Sequence, residues 1–183
     1  LSFLKAVQTP IAAPSANTSG RPSPTKAEHV LEDMKGKIDM ILDGGEVGIG
    51  IESTIIDMTS VPMILRPGFI TQEMLEEKIG DVFLDPALQN GLQEKERPKA
   101  PGMKYRHYAP KADLTIVEGE LSRVIDQINR LTAQKVSEGK KVGIIATEET
   151  KKFYKHGIIK VIGTRKKEET IAKHLYSILR EFD

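Results

Sequence analysis

The chain has 183 residues, and its 27 Lys and Arg side chains nearly balance its 26 Asp and Glu side chains, for a formal net charge of +1 at pH 7. This near balance argues against a protein that binds a polyanion with its whole surface. The sequence has no cysteine, which excludes disulfides, iron–sulfur clusters, thiolate metal sites and cysteine nucleophiles, and its 39% hydrophobic residues are ordinary for a globular protein.

The N-terminal stretch, residues 1–7, is amphipathic and is typical of the last turns of a helix. Residue 1 is Leu and all six methionines lie between Met34 and Met103, so we expect the chain to be an internal piece of a longer protein. No apolar run reaches the about 20 residues of a membrane span, and the sequence shows no signal peptide. We therefore expect a cytoplasmic protein without a membrane partner.

Residues 8–25 (QTPIAAPSANTSGRPSPT) contain four of the ten prolines. The prolines exclude a regular helix or a central strand, which leaves a long ordered loop or a low-complexity linker. The flanks favour the loop, because residues 11–13 resemble the end of a strand and Thr25 and Glu28 have the spacing of a helix capping box. Loops between a strand and a helix commonly carry binding sites.

Short elements follow this loop. The pattern predicts a helix over residues 26–34, a strand over 38–43, a turn at Gly44 and Gly45, neighbouring antiparallel strands over 53–57 and 63–66, a helix from a cap at Thr71 to Ile79, and a strand over 81–84. Residues 93–112 then carry a local net charge of +4 and three prolines, which forbid a continuous helix. We therefore predict a first domain over 1–92, a basic linker over 93–112 and a second domain over 113–183.

Strands and helices alternate in the second domain. We predict strands over 114–117, 142–146 and 158–162, and helices over 121–138, 148–155 and 168–180. This alternation indicates a parallel, doubly wound sheet, so the predicted fold class is α/β.

Standard ligand motifs are absent from the sequence. It has no P-loop, and GIGIES (residues 48–53) lacks the third glycine of a dinucleotide fingerprint, so a turn or bulge is favoured there. The four histidines have no metal-binding spacing, so we expect solvated or structural side chains and no protein metal site; they are His29, His107, His156 and His174.

Three other segments carry candidate binding groups. The hydroxyl-rich loop, residues 15–25, could cradle an anion at the start of the next helix. Asn17 could also hydrogen-bond to the edge of a purine base. The alternative is a solvated linker. Arg66 precedes a Pro-Gly turn, where its guanidinium suits a phosphate or carboxylate, or is simply an edge charge. Residues 101–110 (PGMKYRHYAP) interleave basic and aromatic side chains that could stack on a base, which we favour over a plain linker.

The segments PIAAPSANTSGRPSPT (10–25), GIESTIID (50–57), ILRPG (64–68) and PGMKYRHYAP (101–110) together resemble the threonylcarbamoyl-AMP synthase family in its two-domain form. That resemblance implies part of a YrdC-like twisted open α/β domain, a linker, and a smaller Rossmann-like parallel α/β domain. Family members carry further sequence at both ends, including a basic motif for ATP and threonine. We therefore expect this piece to be inactive alone.

The resemblance implies a nucleotidyltransferase that makes threonylcarbamoyl-AMP and pyrophosphate from L-threonine, bicarbonate or CO2, and ATP. The product would pass to the machinery that transfers threonylcarbamoyl to the adenosine beside the tRNA anticodon. Mg²⁺ is expected on the ATP phosphates without an all-protein cage.

The resemblance also implies residue roles. Ser15 and Ser53 would bind threonine. The implied ATP-binding residues are Asn17, Thr25, Arg66, Ala100, Tyr105, Arg106 and His107. The segment with Tyr105 to Tyr108 looks like a flap over the nucleotide. Ala100 replaces a Ser that many relatives have, which leaves only a backbone contact there, and no general base is identified.

Two other functions remain open. One is a regulatory module that binds double-stranded RNA or tRNA without its own catalysis, through the basic linker, with binding that falls steeply with salt. The other is the YrdC-like unit of hydrogenase maturation carbamoyltransferases, which the lack of cysteine for zinc-finger segments disfavours.

Overall fold

A computed structural model describes residues 2–90 and 110–183, which form two small sheets with helices around them. The helices are α1 (Ser2–Val7), α2 (Ala27–Met34), α3 (Gln72–Ile79), α4 (Pro86–Asn90), α5 (Leu121–Ser137) and α6 (Glu168–Phe182), with one 3-10 turn at Lys151–Phe153. The strands are β1 (Ile55–Asp57), β2 (Met63–Arg66), β3 (Phe83–Leu84), β4 (Gly143–Thr147) and β5 (Ile158–Gly163). The α/β fold class is confirmed.

The first sheet has the order β1-β2-β3, with β2 in the centre. β1 pairs antiparallel with β2, as the sequence predicts, and β2 pairs parallel with β3. The central strand buries Ile64 and Leu65, and Val82 just before β3 is also buried. The predicted cap of α3 is confirmed, because the Thr71 side chain accepts a hydrogen bond from the Met74 backbone N–H. Arg66 therefore stands at the end of the central strand of this sheet.

The second sheet consists of the parallel pair β4 and β5. Its core contains Ile144, Ala146 and Tyr154, and Ile125 and Ile128 of α5 pack against them. Apolar residues three apart on α5 lie on one face of the helix, which explains why this face covers the sheet. The predicted parallel arrangement of this half is confirmed.

Two predicted strands do not form in the described part of the chain. Residues 38–43 and 114–117 are irregular, although both segments have strand-like sequences. Met40 is 74% exposed and Ile116 is 75% exposed, so these apolar side chains do not lie on a sheet. A strand needs a hydrogen-bonded neighbour, which alternation in one segment cannot supply.

Three smaller expectations are also wrong. Residues 11–13 are not a strand, and the helix predicted over 148–155 is only the 3-10 turn. Thr150 explains the short turn, because its hydroxyl accepts a hydrogen bond from the Thr147 N–H and fixes a tight bend after β4. The capping box does not form either, since the N-cap of α2 is Lys26 and it makes no side-chain cap.

Helix α6 joins the two halves. On one side, the Phe182 ring lies against Gly143 of β4, and His174 Nδ1 lies 3.0 Å from the Ile162 carbonyl oxygen of β5. On the other side, the Gly50 N–H donates to the Ala172 carbonyl oxygen at 3.0 Å. A Cβ at residue 50 would overlap the α6 backbone, so glycine permits this close approach.

The contact between Gly50 and α6 yields a stability prediction. Gly50→Ala should lower the free energy of unfolding by about 1–3 kcal/mol, the range for a side chain forced into a packed contact. Gly48→Ala is the matched control, because a Cβ there meets nothing within 4 Å. Urea denaturation of the two variants of the full-length protein measures the difference, and equal stability would contradict the packing argument.

Candidate functional site

Hydrogen bonds tie the hydroxyl-rich loop together from Asn17 onward. The Asn17 side-chain amide donates to the carbonyl oxygens of Thr18 and Arg21, both at 3.2 Å. Asn17 therefore uses its donors to brace the loop, and its buried Oδ1 has no hydrogen-bond partner among the described residues. Both donors of Asn17 are thus used within the loop, and its one unpaired acceptor is enclosed in this structure.

A buried carboxylate on α2 binds two residues of this loop. The Asp33 side chain has no exposure to solvent, and it accepts a hydrogen bond from the Thr18 backbone N–H at 3.0 Å. It also forms ion pairs with Arg21 of the loop and with Arg180 of α6, the latter at 2.7 Å. Each of its oxygens therefore has charged partners, as a buried carboxylate requires.

The pKa of Asp33 reflects this environment. Burial alone raises the pKa of the carboxyl, because water no longer stabilises its charge. The hydrogen bonds from Arg180 and Thr18, with the charges of Arg180 and Arg21, outweigh burial and hold the pKa below its ordinary value. Asp33 is therefore ionised wherever the protein is folded near neutral pH.

Thr25 lies inside the protein next to His29. Thr25 is 5% exposed and His29 is 8% exposed. The Thr25 backbone N–H donates to His29 Nδ1 at 3.1 Å, and the Thr25 hydroxyl lies 3.4 Å from the same nitrogen. An acceptor nitrogen carries no proton, so His29 is neutral in this arrangement. An open cleft of about 390 Å³ beside it is lined by Lys26, Glu46 and neighbouring residues.

Arg66 and Ser53 meet at the end of β2. The Arg66 guanidinium donates to the Ser53 carbonyl oxygen and to the Ser53 hydroxyl, both at 3.0 Å. It also lies 3.4 Å from Glu52 Oε2, and the Ser23 hydroxyl of the loop donates to Glu52 Oε1. The side chains of Arg66 and Glu52 are 15% and 19% exposed. A cation, a carboxylate and two hydroxyls thus form one partly shielded cluster.

Gly68 makes this cluster compact. A Cβ at residue 68 would overlap the backbone of residues 52–54, so only glycine lets the turn after β2 lie directly on that segment. The Thr54 hydroxyl donates to the Ile70 carbonyl oxygen at 2.6 Å and fixes the same turn. The Pro-Gly sequence after Arg66 therefore sets the position of its guanidinium.

The carboxyl edge of the second sheet, where parallel sheets commonly bind ligands, is filled by a side chain of the protein itself. Glu149 accepts hydrogen bonds from the Thr164 hydroxyl and, at 3.1 Å, from the Arg165 backbone N–H. The Thr164 hydroxyl is the main cause that lowers the pKa of Glu149 to about 2. A carboxylate thus occupies the donors that an anionic ligand would use.

The structure brings some of the predicted site residues together and leaves others apart. Ser53 and Arg66 are in contact, Asn17 and Thr25 lie in the loop that reaches them through Ser23 and Glu52, and Ser15 is exposed. Other predicted residues lie outside the described ranges; they are Ala100, Tyr105, Arg106, His107 and Tyr108.

Sequence reasoning missed the roles of three residues, Glu52, Asp33 and Arg180. Glu52 stands directly before the predicted Ser53, a signal that could have drawn attention to it. Arg180 gave no signal, because one charge on an amphipathic helix usually faces solvent.

Two family models cover nearly the whole chain. The one described as "Threonylcarbamoyl-AMP synthase, C-terminal domain" matches residues 70–183, and one described as "Telomere recombination" matches residues 1–68. The first covers more than half of the chain.

Named relatives agree with these matches. The threonylcarbamoyl-AMP synthases of Bacillus subtilis and Pyrococcus abyssi are 46% and 45% identical in sequence to this chain, in alignments that cover all of it. A crystal structure of the Pyrococcus abyssi protein complexed with L-threonine superposes with a TM-score of 0.86 at 45% identity, over 99% of this chain and 51% of that one. The chain spans about half the length of the curated relatives it matches, 51% and 52% of these two.

The buried pair of Thr25 and His29 yields a pH prediction. Burial is the main cause that lowers the pKa of His29 from 6.5, and the nearby charges of Arg180 and Lys26 lower it further. Below pH 6.5 the unfolded chain therefore takes up more protons at this residue than the folded protein does, so the free energy of unfolding falls.

The neutral His29 side chain should therefore contribute fully to the free energy of unfolding above pH 6.5. This contribution is lost as the pH falls through the pKa of His29 in the folded protein. His29→Gln, which cannot take up a proton, should remove this part of the slope. Urea denaturation of the wild type and the variant from pH 8 to pH 5 measures it, and parallel profiles would contradict the assignment.

Proposed function

Because the chain belongs to the threonylcarbamoyl-AMP synthase family, we propose that the whole protein makes threonylcarbamoyl-AMP and pyrophosphate from L-threonine, bicarbonate or CO2, and ATP. The product would supply threonylcarbamoyl transfer to tRNA. The described residues contribute the loop with Asn17 and Thr25 and the cluster around Arg66. Every helix in the described ranges is too short or too polar to span a bilayer.

One observation carries this proposal: the contact between Arg66 and Ser53. Their side chains lie 3.0 Å apart, and they are the residues that we assign to ATP and to threonine. A ligand on Ser53 and a phosphate on Arg66 are therefore neighbours. Such a reaction asks mainly that the protein hold two reactants in register and neutralise phosphate charge.

The chemistry then follows from proximity. The threonine amine takes up CO2 to form a carbamate and releases a proton to water, a carbamate oxygen attacks the α-phosphorus of ATP, and pyrophosphate leaves. Arg66 supplies fixed positive charge to the phosphates, and its partner Glu52 keeps the guanidinium in place until a more highly charged phosphate competes for it. Ser53 offers its hydroxyl to threonine, with Ser15 as a second threonine contact.

Mg²⁺ fits this site as a companion of ATP. Among the described residues, no group of three or more His, Asp and Glu side chains is placed to hold a metal ion. The hydroxyls and the Glu52 carboxylate at the cluster are oxygen donors, which Mg²⁺ prefers, and it commonly enters with substrate phosphates. When bound, the ion would neutralise phosphate charge, and Glu52 is the carboxylate that would lie beside it.

Substitutions of the two contacting residues test the proposal. Threonine-dependent pyrophosphate release by the full-length protein should fall about 100- to 1000-fold in Arg66→Ala, since a lost contact to developing charge costs that much. Ser53→Ala should raise the KM for threonine more than the KM for ATP. Steady-state kinetics in bicarbonate buffer with Mg²⁺ measure both effects.

Arg130→Ala and Ser137→Ala are matched controls. Arg130 is exposed on α5 and donates to Gln127, and the Ser137 hydroxyl donates to the Gln134 carbonyl oxygen. Both should keep wild-type rates. Pyrophosphate release that ignores threonine, together with RNA binding that falls steeply with salt, would favour the RNA-binding function instead.

A further inference from the structure

We propose that Arg180 of α6 is a positioning residue for the hydroxyl-rich loop, so that the second half of the chain keeps the loop in its substrate-binding form. The link to substrates rests on the proposed function. The contact between Arg180 and the loop is independent of that function.

The Arg180 guanidinium is almost fully enclosed, with its side chain 1% exposed. Its Nε and Nη2 donate to the Pro22 carbonyl oxygen at 2.9 and 2.6 Å. Its Nη2 and Nη1 also donate to the two oxygens of Asp33, at 2.7 and 3.3 Å. The planar guanidinium of Arg180 therefore binds both the loop backbone and the Asp33 carboxylate.

Asp33 carries the effect of Arg180 further along the loop. Its Oδ2 accepts both from Arg180 and from the Thr18 backbone N–H, and its Oδ1 accepts from Arg21. The guanidinium thus fixes the loop directly at Pro22 and indirectly at Thr18. These two points lie between Asn17 and Thr25, the two residues of the loop assigned to ATP.

The support for Arg180 comes from outside the loop. Helix α6 is held on the second sheet by Phe182 and His174, and Pro22 lies 158 positions from Arg180 in sequence. Glu32, 3.8 Å from Arg180 Nη1, also pairs with Arg21 at 2.9 Å. Arg21 and Arg180 thus neutralise the charges of Glu32 and Asp33. Without Arg180, the buried Asp33 carboxylate would keep only Arg21 as a cationic partner, which is energetically costly.

Lysine cannot replace this arginine. An ammonium is a single point with no planar fork, so it cannot bond the Pro22 carbonyl and both Asp33 oxygens in the same geometry. Arg180→Lys keeps the charge and should weaken the hold on the loop, while Arg180→Gln should remove more of it. The Lys variant also gives an answer if the Gln variant does not fold.

The experiment compares both variants with wild type in the full-length protein, using hydrogen exchange and steady-state kinetics. Exchange in a peptide covering residues 14–24 should rise about tenfold or more in Arg180→Gln and less in Arg180→Lys, with the β4 peptide unchanged. The KM values for ATP and threonine should rise about tenfold with a smaller change in kcat, because binding is lost in the ground state and the transition state alike.

Lys173→Gln is the control on the same helix, since its 3.8 Å pair with Glu46 is solvent-exposed on both sides, and it should leave both readouts unchanged. Unchanged exchange at 14–24 in both Arg180 variants would overturn the positioning role. Raised exchange with unchanged KM values would overturn the link to substrates. If the wild type lacks threonine-dependent activity, the proposed function fails, and the exchange data still decide whether Arg180 holds the loop.

Discussion

A carboxylate that no water reaches must find all its partners within the protein, and the arrangement of the site depends on how Asp33 does so. The cost of burying a charge is met only by cations and donors brought to it in good geometry. Arg180, Arg21 and the Thr18 amide are those partners. Because they come from α6 and the loop, while Asp33 belongs to α2, one electrostatic requirement orders three separate parts of the chain.

The cluster at the end of β2 obeys a related constraint. Arg66 is too enclosed to be a free surface charge, and Glu52 and the Ser53 carbonyl satisfy its guanidinium. The glycine at 68 lets the turn lie on the same backbone segment. A guanidinium that the protein already fixes in position loses little conformational entropy when a ligand binds. This favours both the affinity for the ligand and its correct alignment. Local sequence and close packing therefore prepare the group that we assign to phosphate.

Local signals predicted the parts of this structure that local physics decides. Thr71 caps α3, and β1 and β2 pair as antiparallel neighbours, because cap chemistry and a short turn act over a few residues. Residues 38–43 and 114–117 have strand-like sequences but no strand, since pairing requires a partner that periodicity does not reveal. In the candidate site, the Pro-Gly turn after Arg66 is a local signal that drew attention to its guanidinium, whereas Arg180 gives none because its partners lie 147 and 158 positions away.

That separation also governs the order in which the molecule can be completed during synthesis. Chains emerge from the ribosome N-terminus first, and contacts between distant residues form late because the intervening loop must close. Asp33 and the loop are made long before α6 exists, so the nascent first half contains a carboxylate that lacks its principal cation. Until Arg180 has been translated, Asp33 has only Arg21 and the Thr18 amide as partners, so the full set of contacts around the loop depends on α6, the last helix.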